Sequence, residues 1–416
     1  MILPLARHLA QVTLIGLFLV ALTACAPRPP APDKLVLQPV SFADLPGWAS
    51  DDHGAALPAL LRSCARFARQ PDTTRLPPTP GDGATGEAAG IGGTLADWRQ
   101  SCAAAAELPA NDGSAARAFF ERYFHPFRAA NNRDTTGLFT GYYEAELRGA
   151  RQPSAPYTVP LYRTPPDLIS VDLADFSSEF AGRTIAGKVA DGKLRPYDDR
   201  TAIETGALRE RNLELLWVDD PVDAFFLHIQ GSGRVTLDDG SVVRVGYANK
   251  NGHIYTAIGR ELVKRGSMTT EQVSMQSLRA WLKANPAEAE ALMNTNRSYV
   301  FFREIPGAKP DEGPLGAQSV ALTPGRSLAV DRKFLPLGAP VWLDIGHPDD
   351  KQAPRLRRLM VAQDTGGAIR GPVRGDVFWG WGEAAAARAG AMRDRGGYYI
   401  LLPLPAAARV MNQPTG

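Results

Sequence analysis

The texture of the chain after Gly137 limits the fold more than any other feature: short runs of β-forming residues, each broken within a few positions by Gly, Pro or Asp. The first runs are Leu138 to Tyr143, Thr158 to Tyr162, Ala224 to Ile229, Val235 to Leu237 and Val242 to Val245. Asp238-Asp239-Gly240, between the last two, has the composition of a tight hairpin turn. Helical patterns interrupt at Thr256 to Arg265, at Thr270 to Asn285 and after Gly382. A second β-rich stretch runs from Val300 to Leu404, its clearest strands being Ala339 to Leu343, Arg358 to Ala362 and Tyr398 to Leu402. Many short strands at this spacing predict a mainly β protein with helices, built from small barrels rather than one parallel sheet. No repeat of fixed period is present, which argues against a solenoid.

Upstream, the pattern from Phe42 to about Phe127 is helical. Leu57, Leu60, Leu61, Cys64 and Phe67 are spaced for one buried face. A Pro-, Gly- and Thr-rich segment from Gln70 to Gly93 reads as a surface loop. A helix through Ala115 to Phe124 is expected to end near His125-Pro126.

The first residues carry an address. Arg7 and His8 precede an apolar run from Leu9 to Leu22, and Leu22-Thr23-Ala24-Cys25 follows. The run is shorter than the ~20 residues a membrane-spanning helix needs, so residues 1–24 read as a secretory signal with the processing site of a bacterial lipoprotein. Residues 25–41 then read as lipid anchor and Pro/Ala-rich tether, with acyl chains on Cys25. Ala26, rather than the Asp that retains lipoproteins in the inner membrane, implies the periplasmic face of the outer membrane. Setting Cys25 aside leaves Cys64 and Cys102 in an oxidising compartment. They are either one disulfide, worth roughly 3 to 4 kcal/mol for a loop of that size, or two buried thiols.

The 46 basic and 44 acidic residues leave a net charge of +2, too weak a field to recruit nucleic acid. A hydrogen-bond-rich glycan is a better match, and about 390 residues after processing leave room for two domains. The common catalytic signatures are absent, and six histidines without a close pair give no expectation of a metal or cofactor. Gly231-Ser232-Gly233 invites a serine nucleophile, but no Ser-His-Asp arrangement stands out beside it. Three aspartates are more informative. Asp331, Asp364 and Asp376 each follow an apolar run or sit among glycines, as side chains grouped at a barrel mouth would, with Gly366 and Gly367 letting backbone approach a ligand. Singly, each is also an ordinary turn residue.

Val361-Ala362-Gln363-Asp364-Thr365-Gly366-Gly367-Ala368-Ile369-Arg370-Gly371, then Arg374-Gly375-Asp376-Val377-Phe378-Trp379-Gly380 and Ala389-Gly390, resembles the three-aspartate domain of the lytic murein transglycosylase A family. Phe139-Thr140-Gly141-Tyr142-Tyr143-Glu144, Phe226 to Gly233, Gly246 to Gly252 and Met293 to Phe302 resemble the rest of that family in the same order, so the likeness runs from about Phe42 onward. The resemblance implies a double-psi β-barrel formed by residues 42–141 and 300–410, a second β-barrel inserted as residues 142–299, and a substrate groove between them. It also implies cleavage of the β-1,4 bond between N-acetylmuramic acid and N-acetylglucosamine in peptidoglycan, leaving a 1,6-anhydro end. Asp376 matches the family's catalytic acid, Asp364 its supporting aspartate and Asp331 the third.

An ordinary glycosidase needs two carboxylates. Here the sugar's own C6 hydroxyl would replace the attacking water, so Asp376 could serve as acid and then as base. Thr140, Tyr142, Gln230, Ser232, Tyr247 and Asn249, with Asp331, Gly366 and Gly367, are the expected sugar contacts, Gln230 being read as a turn residue after a strand. The expected partners are glycan strands and, through the lipid, a membrane. The chain is expected to be a monomer, acting alone or beside other wall enzymes. Two other readings share the groove: a lipoprotein that binds peptidoglycan without cutting it, and a hydrolase using Asp364 and Asp376 as a pair.

Overall fold

The computed structural model describes residues 32–77, 90–110, 112–180, 183–307, 312–348 and 354–412. Cys25, the signal segment predicted for residues 1–24 and part of the loop predicted for 70–93 lie outside them.

Strand β1 (Leu35–Pro39) is followed by helices α1 (Leu57–Phe67), α2 (Leu95–Ala106) and α3 (Gly113–Tyr123). Pro opens α1, and its buried Leu57, Leu60, Cys64 and Phe67 are the face the spacing predicts. Thr94 and Asp97 cap α2 reciprocally, the Thr94 amide donating to the Asp97 carboxylate at 2.8 Å. Asp112 caps α3 by accepting from the Ala115 amide at 2.9 Å. Helix α3 stops where Phe124 turns extended and Pro126 follows, and that segment becomes strand β2 (Phe124–Asn131). Cys64 and Cys102 are joined, with their Cα atoms 5.4 Å apart, tying α1 to α2.

The middle of the chain forms β3 (Gly137–Ala150), β4 (Val159–Tyr162), β5 (Ile169–Asp172), β6 (Thr184–Ala190), β7 (Lys193–Pro196), β8 (Glu214–Val218), helix α4 (Pro221–Gln230), β9 (Ser232–Leu237), β10 (Val242–Lys250), helices α5 (Ile258–Lys264), α6 (Met275–Ala284) and α7 (Pro286–Asn294), and β11 (Val300–Glu304). The last part is β12 (Ser327–Val330), β13 (Pro340–Ile345), β14 (Leu356–Asp364), β15 (Arg374–Trp381), α8 (Gly382–Ala391), β16 (Arg393–Pro403) and α9 (Leu404–Met411).

These strands assemble into a 13-stranded mixed sheet along the order β1-β2-β16-β13-β14-β12-β15-β3-β9-β10-β11, with β4 and β8 to one side and β16 also pairing β3. A separate three-stranded sheet holds β5, β6 and β7. The strands expected in two barrels therefore share one sheet, and they meet in β3. Its first half pairs β15 in parallel and its second half pairs β9 in parallel, so the boundary expected at residues 141 and 142 falls inside a single strand.

Ala224 to Ile229, read from sequence as a strand, is helical, and Gln230 ends that helix instead of sitting in a turn after a strand. The reasons are local: Asp220 caps the start by accepting from the Val222 amide at 2.7 Å, Pro221 occupies the first turn, and Gly231 at φ 79° closes the end in the left-handed region. A helix with every residue from Ala224 to His228 buried shows no polar face, so its apolar run imitates a buried strand. The helical stretch expected over Thr270 to Asn285 is a short turn followed by α6, and α7 starts afresh at Pro286.

Replacing both Cys64 and Cys102 by Ser should lower the free energy of unfolding by about 4 kcal/mol, from the loop of 38 residues the bridge closes. Urea unfolding measures this as a lower midpoint. An unchanged midpoint would show that the helical layer holds together without the bridge.

Candidate active site

The site is assembled by strand pairing. In the sheet β12 lies between β14 and β15, and its Ala329 is the register partner of both Asp364 on β14 and Asp376 on β15. Two carboxylates on consecutive strands are thereby brought level on either side of one short strand. On the other flank of β15, the parallel ladder with β3 sets Thr140 opposite Asp376 and Tyr142 opposite Phe378. Close approach of β3 requires Gly141: a Cβ there would lie 2.7 Å from the Trp379 ring and 3.0 Å from the Ala389 Cα.

Thr140 Oγ1 donates to Asp376 Oδ1 at 2.7 Å, while Arg374 Nη2 donates to Thr140 Oγ1 at 2.8 Å. Because the hydroxyl oxygen already accepts from Arg374, its single proton is directed at the aspartate. No protein group among the described residues bonds Asp376 Oδ2, which leaves that oxygen for a ligand. Asp364 is held differently. Its Oδ2 accepts from the Tyr142 hydroxyl at 2.8 Å, and its Oδ1 accepts from the Ala317 and Thr365 amides, each at 2.9 Å. Tyr142 stacks obliquely on Phe378, ring centroids 5.3 Å apart, which fixes the phenol where it can donate.

Burial pushes the Asp376 carboxyl up to about 6; the Asp364 charge adds to the rise, and the Thr140 hydroxyl and Arg374 oppose it. Burial also raises Asp364, against the three donors that favour its ionised form. Tyr142 is held well above 10 by burial and by both carboxylates, so it stays a donor.

The remaining expected residues divide into groups. Asp331 is buried, and its carboxylate accepts from the Lys333 amide at 3.1 Å and the Gly371 amide at 2.9 Å, joining the start of one turn to the loop before β15. Gly366 and Gly367 follow Asp364 in an open loop, Gly367 exposed with empty space where a Cβ would stand. Gln230 and Ser232, both half-buried, flank Gly231, whose missing Cβ would be 3.9 Å from the Cβ of the exposed Tyr247, so Gln230, Ser232 and Tyr247 form a second group. It lies along β3, since Gly233 pairs Ala145, five strand residues or roughly 16 Å beyond Thr140. Asn249 exchanges hydrogen bonds with Ser170 of β5 at 3.2 and 3.3 Å and also accepts from the Lys250 amide at 2.9 Å.

Two contributors were missed in sequence. Arg374 had a signal, standing two residues before Asp376 on the same strand and so on the same face. Ala317 had none, because it acts through its backbone amide. Among the described residues no group of three or more His, Cys, Asp or Glu side chains converges as a metal site.

The family model described as the MltA specific insert domain matches residues 138–303, and the one described as the 3D domain matches residues 326–402. The chain is 32% identical over 279 residues to the membrane-bound lytic murein transglycosylase A of Escherichia coli strain K12, covering 66% of this chain and 68% of that protein. Its fold is similar to the crystal structure of a membrane-bound lytic murein transglycosylase from Agrobacterium tumefaciens, with a TM-score of 0.76 and 37% identity over 90% of this chain and 99% of that one. It is also similar to Escherichia coli MltA with bound chitohexaose, at a TM-score of 0.58 and 26% identity over 89% of this chain and 94% of that one.

The raised Asp376 carboxyl means that the folded state binds this proton more tightly than the unfolded chain does. That stability is fully present below the unfolded value near 3.8 and is lost as pH rises through about 6. Asp376→Asn stays neutral, so the variant should be more stable than the parent by on the order of 3 kcal/mol above pH 7 and about equal to it below pH 4. Urea unfolding at pH 8 and pH 3.5 makes the comparison; equal stability at both pH values would place the carboxyl in water.

Proposed function

Because the chain belongs to the membrane-bound lytic murein transglycosylase A family, we propose that Asp376 alone moves the protons when it cuts glycan strands. The enzyme is a peptidoglycan lytic transglycosylase. It cleaves the β-1,4 bond between N-acetylmuramic acid and N-acetylglucosamine and leaves 1,6-anhydromuramic acid ends.

Protonated Asp376 gives its proton, from the oxygen that no protein group occupies, to the departing glycosidic oxygen as the C1–O bond breaks. The carboxylate so formed takes the proton of the muramic acid C6 hydroxyl as O6 bonds to C1, which regenerates the acid. Attack from within the same sugar draws on effective molarities of on the order of 10⁵ M or more, so the ring closes ahead of water. The observation that carries this reading is the asymmetry of the pair. Asp376 is pushed up to about 6 with one oxygen unclaimed, whereas both oxygens of Asp364 are occupied by three donors. A carboxylate so fully bonded is a poor nucleophile or base, which disfavours the two-carboxylate hydrolase. Its role is to stay ionised, raise Asp376 and orient sugar hydroxyls. A carboxyl pushed up to about 6 with one oxygen unclaimed likewise favours an enzyme over a protein that only binds the wall.

The same reading assigns the glycan to the length of β3. Thr140, Tyr142, Gly366 and Gly367 would meet the sugar at the scissile bond, while Gln230, Ser232, Tyr247 and Asn249 would hold sugars further along. Asp331 is a turn brace. The chitohexaose on the Escherichia coli relative supports an extended glycan site. At the level of domains, the reading is a double-psi barrel of residues 42–141 and 300–410 with residues 142–299 inserted. Its supports are the extra pairing of β16 with β3 and the two consecutive family matches. Anchoring through Cys25 to the periplasmic face of the outer membrane rests on Arg7, His8, the apolar run and Ala26, and on the membrane-bound relatives.

Asp376→Asn should fold and lose turnover by roughly 10²- to 10⁴-fold or more. Mass spectrometry of murein sacculi treated with the variant should find intact strands where the parent leaves anhydro ends. Reducing ends from the parent, or anhydro ends from the variant, would overturn the single-acid mechanism.

A further inference from the structure

Glu144, Arg234 and Arg244 form a cluster of charges buried beneath β3, β9 and β10 at 1%, 7% and 7% exposure. Arg234 Nε and Arg244 Nη2 both donate to Glu144 Oε2, at 2.9 and 2.8 Å. Arg234 also lies over the Trp381 ring, 3.8 Å from its centroid, and both guanidiniums donate to backbone. Arg234 Nη2 donates to the Glu312 carbonyl at 2.8 Å, Arg244 donates to the same carbonyl, and Arg244 Nη1 donates to the Gly313 carbonyl at 3.2 Å. A buried ion pair contributes little net stability once desolvation is counted, so stability alone does not account for the arrangement. Its output is the capture of two consecutive carbonyls.

Those carbonyls open the segment that ends on the active site. Gly313 donates to the Leu322 carbonyl at 3.1 Å and sits so close to Phe378 that a Cβ would come within 2.8 Å of its ring. Gly316 donates to the Val320 carbonyl at 3.0 Å, and the next residue, Ala317, puts its amide on Asp364 Oδ1. Nothing in the Ala317 side chain selects this position. It is set by the path of the segment, which is held at its start through the carbonyls of residues 312 and 313 and further on by the Leu322 amide on the Pro314 carbonyl and the Gln318 amide on the Gln363 carbonyl.

We propose that Glu144, Arg234 and Arg244 are positioning residues for the acid-base pair, holding the segment of residues 312–317 so that the Ala317 amide stays on Asp364. The inference rests on the reading of Asp376 as the acid beside an ionised Asp364. The titratable and charged groups facing Asp364 are Tyr142 of β3 and Asp376 of β15, with Arg374 behind Asp376. All three lie on β3 and β15 outside the segment, so a displacement confined to the Ala317 amide takes away one of the three donors that favour the ionised form of Asp364. It then protonates at higher pH.

The test is the pH dependence of kcat/KM for release of anhydro products from soluble glycan strands. It compares the parent, Arg244→Met and Ala317→Pro, with folding of each checked by circular dichroism. Ala317→Pro removes the amide hydrogen while leaving the charged cluster intact. Both variants should move the acidic limb upward by about one pH unit, a roughly tenfold loss at a fixed pH on that limb, with the alkaline limb unmoved. A folded variant of either kind with the parent's acidic limb overturns the proposal. Should Arg244→Met fail to fold, Ala317→Pro decides alone. Asp376→Asn, assayed alongside, separates the two readings: appreciable turnover there removes the underlying mechanism, whereas inactivity there with unmoved limbs in the other variants removes only this inference.

Discussion

The parallel ladder between β3 and β15 puts Thr140 level with Asp376 and Tyr142 level with Phe378, and the chemistry of the site follows from that register. In a strand, side chains alternate between faces, so a slip of one residue would turn Thr140 and Tyr142 away from the carboxylates together. The register is protected by close backbone approach. Gly137 and Gly141 of β3 face the Val373 carbonyl and the Trp379 ring at separations that admit no side chain, and Gly375 of β15 faces Phe139 in the same way. Glycines weaken a strand in isolation. Here they let two strands interlock along one line, and the hydrogen bonds to Asp376 and Asp364 result.

Within that frame two chemically identical side chains are given different surroundings. Desolvation raises both carboxyls, because it penalises charge without regard to position. What separates them is the supply of donors. Asp364 receives three, two from backbone amides whose positions are set by the chain itself, and Asp376 receives one from a hydroxyl whose direction Arg374 dictates. Each donor to an ionised carboxylate favours the charged form, so the donors bias Asp364 toward charge, and an Asp364 charge makes Asp376 harder to ionise. The division between acid and anion that the proposed mechanism needs thus rests on hydrogen bonds of β3, β14, β15 and the segment of residues 312–317.

Parts of this arrangement were legible in the sequence and parts were not, for identifiable reasons. Asp364 and Asp376 stand out because a carboxylate ending an apolar run beside glycine is poorly explained by packing, and Thr140 and Tyr142 stand out through the Phe139 to Glu144 motif. The hairpin at Asp238-Asp239-Gly240 and the buried face of α1 follow from turn chemistry and periodicity. Helix α4 was misread because periodicity needs a polar face to be visible, and burial from Ala224 to His228 removes it. Its end signals, Asp220-Pro221 and Gly231, were the readable clue. The small sheet of β5, β6 and β7 escaped notice because its strands are only 4, 7 and 4 residues long and broken by Gly187 and Pro196. The contribution of Ala317 could not be read at all, since any residue but proline carries the same amide.

The continuity of β3 has a consequence for a polymeric substrate. A strand rises about 3.3 Å per residue, so the step from Thr140 to Ala145 is a fixed length set by the backbone and insensitive to side-chain rearrangement. The group at Gln230, Ser232 and Tyr247 is tied to the far end of that step through the pairing of β9 with β3, and Asp376 is tied to the near end through β15. Two sites joined by a hinge would have to pay for their alignment each time a glycan bound, whereas two sites on one strand are aligned before it arrives. Under the proposed mechanism, binding energy gained on distant sugars would then be available to hold the scissile bond against Asp376. For a mechanism in which the sugar's C6 hydroxyl must reach its own C1 ahead of water, that alignment matters more than the strength of any single contact.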